Sequence, residues 1–448
     1  MLILAYSSYN AGTIDTNYGR PEYSYWFVRK AFSRILERFG VVIPIGDAER
    51  DVEAVAQNAA AQGDRGIYLS FDSVYKTVFP KTCPTVPVFA WEFDTIPHEV
   101  WDDEPRHDWT MVLAKAGCAI THSSFTVGVV RRALGDDFPI WSIPAPVYAG
   151  AVRHLSSARG YQPPTELKFS ATVIDVNTID LGPYIYQRKD RDGPAALQSE
   201  IAKLKMPTRI SIHGVVYSSV FNPLDGRKNW NDMLMGFIRA FRNTPDATLI
   251  LKLTHVDGAD ALMRLLSDVA KVGPFRCRIL LIHGMLPQDE YDALMAATSY
   301  GVNTSNGEGQ CLPLMEYMSA GRPAISPRHT AMLDYITDEN AFVLRTTEEP
   351  TWWPHDPRRA LRCRRNRLDF PTLLEAYRKS YEVASNGATY ARMSAAATEA
   401  QRLYCGDDVV MARFAEVLNH TAGMAKQPKP ASGKRSVRSR THEAADVV

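Results

Sequence analysis

Residues 303–323 read NTSNGEGQCLPLMEYMSAGRP. Pro313 suits the first helical turn, where its missing N–H costs nothing, and Gly321 suits the terminator, so the stretch predicts a helix over about 313–320. Just before it, Gly309, Gln310 and Cys311 would leave free amides at a positive helix end, a ready site for a phosphate group. Glu308 stands in a Gly-flanked loop whose backbone can approach a ligand closely. Glu316 lies one turn into the helix among Leu312, Leu314, Met315 and Met318. An unpaired carboxylate is costly to bury there, so it requires hydroxyl or amide donors.

Around this stretch the chain alternates short apolar runs with helical patterns. In the second half the series is RISIHGVVYSS (209–219), a helix at 229–242, ATLILKLTH (247–255), a helix at 258–271, CRILLIHG (277–284), a helix at 287–298, YGVNTS, the segment above, PAISP and AFVLRT. In the first half the runs are LILAYS (2–7), VVIPIG (41–46), GIYLSF (66–71), VPVFAWEF (86–93), AITHSS (119–124) and IWSIPAP (140–146). Helical patterns at 22–39, 51–61, 108–117 and 125–134 lie between them. Such alternation predicts an α/β fold of two Rossmann-like units, each a parallel sheet covered by helices, with a cleft between them. The expected division is 1–165, a linker or insertion at 166–207, 208–385, helices at 386–422, and a basic tail at 423–448 too poor in apolar residues to pack. Ligands of such sheets sit beyond the carboxyl ends of the strands, so the loops after strands are the places to search.

Composition narrows the function classes. With a formal charge of +1 the chain has no overall attraction to nucleic acid or to a membrane. No helix-turn-helix, zinc-finger or aromatic RNA-reading pattern accompanies the basic tail, so no nucleic-acid partner is expected. The six cysteines are scattered without close pairs, which fits a reduced cytosol, and no HExxH or similar spacing offers a metal site. The N-terminal MLILAYSSYN has no basic leader and reads as a first strand, and no run reaches the roughly 18–20 apolar residues of a membrane span.

Four further stretches carry chemistry. In YSSVFNPLDGRKNWNDMLMGFIRAF, Arg227 and Lys228 fall in a loop between strand and helix, where positive charge can offset a phosphate leaving group. AYSSYNAGT, at the end of the first strand, offers Ser8, Asn10 and Gly12, with a plain turn as the alternative. VFAWEFDTIPHEVW offers Glu92 and Asp94, with His98 later, and THSSF follows at the next strand end. TWWPHDPRRALRCRRNRLDF (351–370) sets two tryptophans before six arginines. It reads as a solvated loop anchored by its tryptophans, the other reading being contact with a membrane interface or an anionic polymer.

The two glutamates separated by seven residues in NGEGQCLPLMEYMSAGRPAIS resemble the donor-site signature of retaining GT-B glycosyltransferases, specifically family four of their sequence-based classification. The likeness is closest over about 209–345 and weaker in the N-terminal half; many members carry a glycine where this chain has Cys311. The resemblance implies that Glu308 contacts the donor sugar near the reacting carbon, that Glu316 binds the nucleotide ribose, and that Asn306 and the Gly309–Gln310–Cys311–Leu312 loop hold the donor. Arg227 and Lys228 resemble the clamp on the diphosphate, Lys228 the better match because the family's arginine usually lies several residues upstream. Ser8, Asn10 and Gly12 correspond to a loop facing the donor phosphates and acceptor. Glu92 and Asp94 stand where some relatives carry a catalytic-site histidine.

The implied activity is metal-independent hexose transfer, with retention, from a nucleotide diphosphate sugar to a glycan or lipid-linked acceptor selected by the N-terminal domain. The nucleotide sugar is a substrate, and no cofactor is implied. Cell-surface polysaccharide or lipopolysaccharide synthesis, in the cytoplasm with peripheral contact at the inner membrane face, is the family's common setting. A nucleotide-sugar epimerase and a non-catalytic nucleotide-sugar binding subunit are the alternatives. The resemblance also implies that the C-terminal helices cross back to the N-terminal domain.

Overall fold

A computed structural model describes residues 1–185 and 209–424. The charged, partly helical stretch expected at 187–208 and nearly all of the basic tail lie outside the described residues.

The apolar runs of the first half form one parallel sheet: β1 (Leu2–Ser7), β2 (Val41–Ile45), β3 (Gly66–Phe71), β4 (Thr85–Phe89), β5 (Ala119–Thr121) and β6 (Ile140–Ser142), in the order β2-β1-β3-β4-β5-β6. Those of the second half form another from β9 (Arg209–Phe221), β10 (Ala247–Leu253), β11 (Arg278–His283), β12 (Tyr300–Val302), β13 (Ala324–Pro327) and β14 (Ala341–Leu344). Its parallel part runs β14-β13-β12-β9-β10-β11. Helices cover both faces, so central strands read as unbroken apolar runs; every residue of β10 is buried. The helix Trp230–Phe241 buries Met233, Leu234, Phe237, Ile238 and Phe241 at helical spacing against this sheet.

Two stretches differ from the sequence reading. Residues 162–165, expected in the first unit, and 166–175, expected at the start of the linker where ELKFSATVIDV reads as a strand, belong to the second sheet: β7 (Gln162–Lys168) pairs antiparallel with the first half of β9, and β8 (Thr172–Asp175) pairs antiparallel with β11. β9 is 13 residues long and outruns its parallel neighbours, so its first half needs another partner. Pro163 and Pro164, at a register shift, hide β7 from pattern reading.

The Trp/Arg-rich stretch is not a loop. It forms most of a hairpin of β15 (Thr346–Trp352) and β16 (Arg362–Leu368). Its arginines are largely paired: Arg364 with Glu348 at 3.1 Å, Arg365 with Glu349 at 2.6 Å, and Arg358 with Asp356 and Glu99 at 3.1 and 3.0 Å. Trp353 is buried in the core of the first unit while Trp352 stays exposed.

Three helices end the described chain. Phe370–Ala384 packs on Trp230–Phe241, where Leu373 lies over Gly236, and Gly387–Cys405 packs on the helix Leu312–Ser319. Asp407–Met424 returns to the first unit, placing Val410, Phe414 and Val417 in its core. Among the described residues no helix is long and apolar enough to cross a membrane.

Candidate active site in the cleft

The carboxyl ends of the two sheets face each other across a cleft of about 1040 Å³. Its wall from the second unit is built by the two loops singled out in the sequence. After β9 the chain turns at Asp225, whose carboxylate accepts from the Arg227 amide at 3.1 Å, and Asn229 adopts a left-handed conformation before the helix begins at Trp230. This turn aims Arg227 and Lys228 at Glu308. Lys228 Nζ donates to Glu308 Oε1 and Oε2 at 2.8 and 2.9 Å. Arg227 reaches Glu308 Oε2 at 3.3 Å, Asp225 Oδ2 at 2.8 Å and the Gly307 carbonyl at 2.5 Å. Its Nε meets Glu92 Oε1 of the first unit at 3.1 Å.

Burial by itself would raise the Glu308 pKa, but the charges of Lys228 and Arg227 outweigh it and hold the carboxyl below its ordinary value. Burial likewise works against the Lys228 ammonium, and Glu308 more than restores it. Glu92 goes the other way: burial raises its pKa, and Arg227 offsets that only in part. Three carboxylates thus share two cations, and the two glutamates are pushed in opposite directions.

Behind Glu308 the backbone is fixed by Thr330. Its Oγ1 accepts from the Glu308 amide at 2.9 Å, and the Ala331 amide donates to the Glu308 carbonyl at 3.1 Å. Thr330 holds a left-handed φ of 47° to do this. Burial drives the neighbouring His329 pKa down to about 4, so it stands neutral beside Glu308.

The helix Leu312–Ser319 begins where the sequence places it, with Pro313 in the first turn and Gly321 left-handed after its end. Among the described residues the amides of Gly309, Gln310, Cys311 and Leu312 have no hydrogen-bond acceptor, and all four residues line the cleft. Cys311 takes a φ of 65°, a conformation natural to glycine. The glycines flanking Glu308 have a second purpose: a Cβ on Gly309 would lie 2.8 Å from Ala90 Cβ and 3.0 Å from the Trp91 amide, and one on Gly307 would lie 3.3 Å from the Glu92 carbonyl. The loop is Gly-flanked because the first unit packs onto it.

Glu316 faces the cleft from the first turns of its helix, and its Oε2 accepts from Tyr291 at 2.7 Å. Burial raises its pKa to about 7, against the stabilising Tyr291 hydroxyl. Tyr291, like Asp225, Thr330 and Tyr18, escaped the sequence reading. Only Asp225 carried a local signal, as an acid two residues before the basic pair.

Other expected site residues lie elsewhere. Ser8 donates to Asp72, and Asn10 closes a turn by accepting from the Gly12 amide at 2.9 Å; none of Ser8, Asn10 and Gly12 lines the cleft. The plain-turn alternative describes this loop. Asp94 is turned away to the hairpin, accepting from the Arg364 amide at 2.7 Å. Asn306 acts through its backbone, donating to the Arg227 carbonyl at 2.8 Å and accepting from the Asn366 amide at 2.9 Å.

Besides Glu92 and the Ala90–Trp91 backbone, the first unit reaches the second through Tyr18 and Gly19. Val256 N donates to the Tyr18 carbonyl at 2.8 Å, Asn222 donates to the Gly19 carbonyl at 2.7 Å, and the buried Lys252 ammonium donates to the Tyr18 hydroxyl. Burial lowers the Lys252 pKa to about 7. Among the described residues no cluster of three His, Cys, Asp or Glu side chains is arranged to hold a metal ion.

No family model and no curated protein matches the chain. Solved structures do. Sucrose-phosphate synthase from Thermosynechococcus elongatus superposes with a TM-score of 0.54 at 13% identity, over 95% of this chain and 100% of that one. A glycosyltransferase from Rickettsia africae superposes with a TM-score of 0.50 at 9% identity, over 94% of this chain and 98% of that one. The fold is GT-B. A weaker likeness, with a TM-score of 0.47 at 10% identity, is to TarM of S. aureus; it covers 79% of this chain and 55% of that one, so the chain spans about half of that protein's length.

Proposed function

We propose that this GT-B chain is a retaining glycosyltransferase that moves a hexose from a nucleotide diphosphate sugar to an acceptor hydroxyl without a metal ion. The observation that carries the reading is the Lys228–Glu308 pair, at 2.8 Å, beside the free amides that precede the Leu312–Ser319 helix. A diphosphate seated on those amides meets Lys228 and Arg227, and the hexose attached to it falls against Glu308. As the bond from the anomeric carbon to the phosphate oxygen lengthens, the cations and amides take up the charge growing on the diphosphate. The ionised Glu308 faces the positive charge growing on the sugar. The acceptor oxygen bonds to the anomeric carbon on the face that the phosphate leaves, and the leaving phosphate oxygen takes the acceptor proton. Glu316 accepts hydrogen bonds from the ribose hydroxyls. The acceptor belongs to cell-surface glycan synthesis by the same resemblance.

The test is a panel of nucleotide sugars incubated with the protein and a membrane extract, followed by product analysis. Transfer should occur with one donor, and Glu308→Gln and Lys228→Ala should each lower kcat by about 100-fold or more. Unchanged transfer in both variants, or a thermal unfolding midpoint that no nucleotide sugar raises, would overturn the reading.

A further inference from the structure

The hairpin β15–β16 leaves the second sheet directly after β14 but is seated in the first unit. Trp353, Leu361 and Cys363 join the core that contains Trp91 and Trp109, and the Trp353 ring lies 5.5 Å from that of Trp91. The main chain of β16 is bonded to both sides of the cleft. Arg364 N donates to Asp94 at 2.7 Å, the Arg362 carbonyl accepts from Thr95 at 2.8 Å, and Asn366 N donates to the Asn306 carbonyl at 2.9 Å. The segment bearing Glu92 is therefore held against Arg227 by the hairpin, whose turn brings His355 and Pro357 to the cleft wall beside Tyr75, Trp101 and His107.

The chemistry of this end of the cleft is uneven. Aromatic rings and the carboxylates of Glu22 and Asp102 line it. The nearby cations are matched by carboxylates: Lys76 by Glu22 at 3.0 Å, Arg358 by Asp356 and Glu99, and Arg364 by Glu348. Among the described residues that line this end none is a lysine or arginine, and Arg359 of the hairpin turn lies off the cleft wall over the Trp352 ring, so a phosphate or anionic lipid headgroup would meet acids there. Trp101 is stacked on His107 and covered by Arg358, and Glu22 is held by Lys76, which leaves the Tyr75 and His355 rings and the Asp102 carboxylate facing the cleft. A neutral saccharide suits these, since the C–H face of a pyranose packs on aromatic rings and its hydroxyls donate to carboxylates.

We infer that the hairpin turn builds the acceptor subsite, and that this subsite takes a neutral saccharide. The inference rests on the transferase reading above. Its test is saturation-transfer NMR on the full chain with UDP or GDP present, using methyl α-glucoside, methyl α-mannoside and N-acetylglucosamine as probes. Sedimentation with phosphatidylglycerol vesicles runs in parallel. At least one saccharide should receive saturation, and His355→Ala and Tyr75→Ala should each reduce it fivefold or more while the unfolding midpoint and the nucleotide-induced thermal shift stay at wild-type values. No transfer to any saccharide, an undiminished signal in both variants, or vesicle binding abolished by the same substitutions would overturn the inference. Absence of any nucleotide-induced shift in the wild-type chain would instead defeat the donor-site reading, and the saccharide signal reports independently of it.

Discussion

Arg227 and Glu92 meet across the cleft, Nε to Oε1 at 3.1 Å, so one guanidinium joins the two units at the loop that follows β9. The same side chain also serves Asp225 and Glu308. With Lys228 included, the cluster holds three carboxylates and two cations, and a diphosphate entering it meets an excess of negative charge. Glu92→Gln should therefore strengthen UDP or GDP binding, by about fivefold for one charge removed a few ångströms away in a screened site, while lowering transfer. Calorimetric titration at low and high salt checks this: the gain should shrink with salt, and weaker binding in the variant would count against the electrostatic account.

Glu316 predicts a trade between stability and binding. Its pKa is raised by burial to about 7 in the folded chain, above its unfolded value, so the stability it contributes is present at acid pH and lost as pH rises toward about 7. Glu316→Gln removes the cost of ionisation and keeps an oxygen for the Tyr291 hydroxyl. The variant should gain on the order of 2 kcal/mol at pH 8 and little at pH 4.5. Nucleotide affinity should fall about 10- to 100-fold at pH 8, the size expected for hydrogen bonds to a charged group. If Glu316 holds the ribose as proposed, affinity in the wild-type chain should rise with pH up to about 7, as its carboxylate becomes ionised. Denaturation and titration at both pH values measure the two halves separately.

How far the sequence reaches follows from where each interaction lies. Lys228 and Glu308 are 80 residues apart in sequence, yet both stand on loops after neighbouring parallel strands, β9 and β12, and parallel topology puts such loops on one edge. Glu316 was legible as a carboxylate in need of a donor, but its partner Tyr291 comes from another helix, and no local pattern could name it. The loop after β1 was open to two readings because Asn10 and Gly12 are as apt for a turn as for a phosphate loop, and the structure shows Asn10 closing a turn. The hairpin was hidden for a different reason. TTEEPTW and RCRRNRL have no alternating apolar face, and cross-strand Arg–Glu pairs hold them together. That contact exists only once the register is known.

Cys311 stands at a φ of 65°, where many relatives by resemblance carry glycine. A left-handed conformation costs a non-glycine residue roughly 1–2 kcal/mol, while glycine loosens the unfolded chain by a comparable amount, so Cys311→Gly should change stability by less than about 1 kcal/mol. Cys311→Val adds a β-branch at the same φ and should cost about 2 kcal/mol or more, with weaker nucleotide binding because the free amides beside it are displaced. Chemical denaturation of the three proteins separates a conformational cost from any role of the thiol. Equal loss of binding in the glycine and valine variants would point to the thiol.

Gly309 provides the sharpest separation of folding from function. A methyl group there would lie 2.8 Å from Ala90 Cβ and 3.0 Å from the Trp91 amide, on the backbone of the opposite unit, so neither neighbour can yield by turning a side chain alone. Each unit keeps its own sheet and core in Gly309→Ala, and relief comes from moving the units apart. That motion lengthens the Arg227–Glu92 contact and carries the cleft wall of the first unit away from Glu308. The expected result is a change in unfolding free energy under about 2 kcal/mol, a larger radius of gyration by small-angle scattering, and transfer reduced at least about 100-fold, since displacement near 1 Å is enough for that loss. Nucleotide binding should fall much less than transfer, because Lys228, Glu308 and Glu316 all belong to the second unit. A variant with wild-type transfer and an unchanged radius would show that the packed GEG loop does not set the distance between the units.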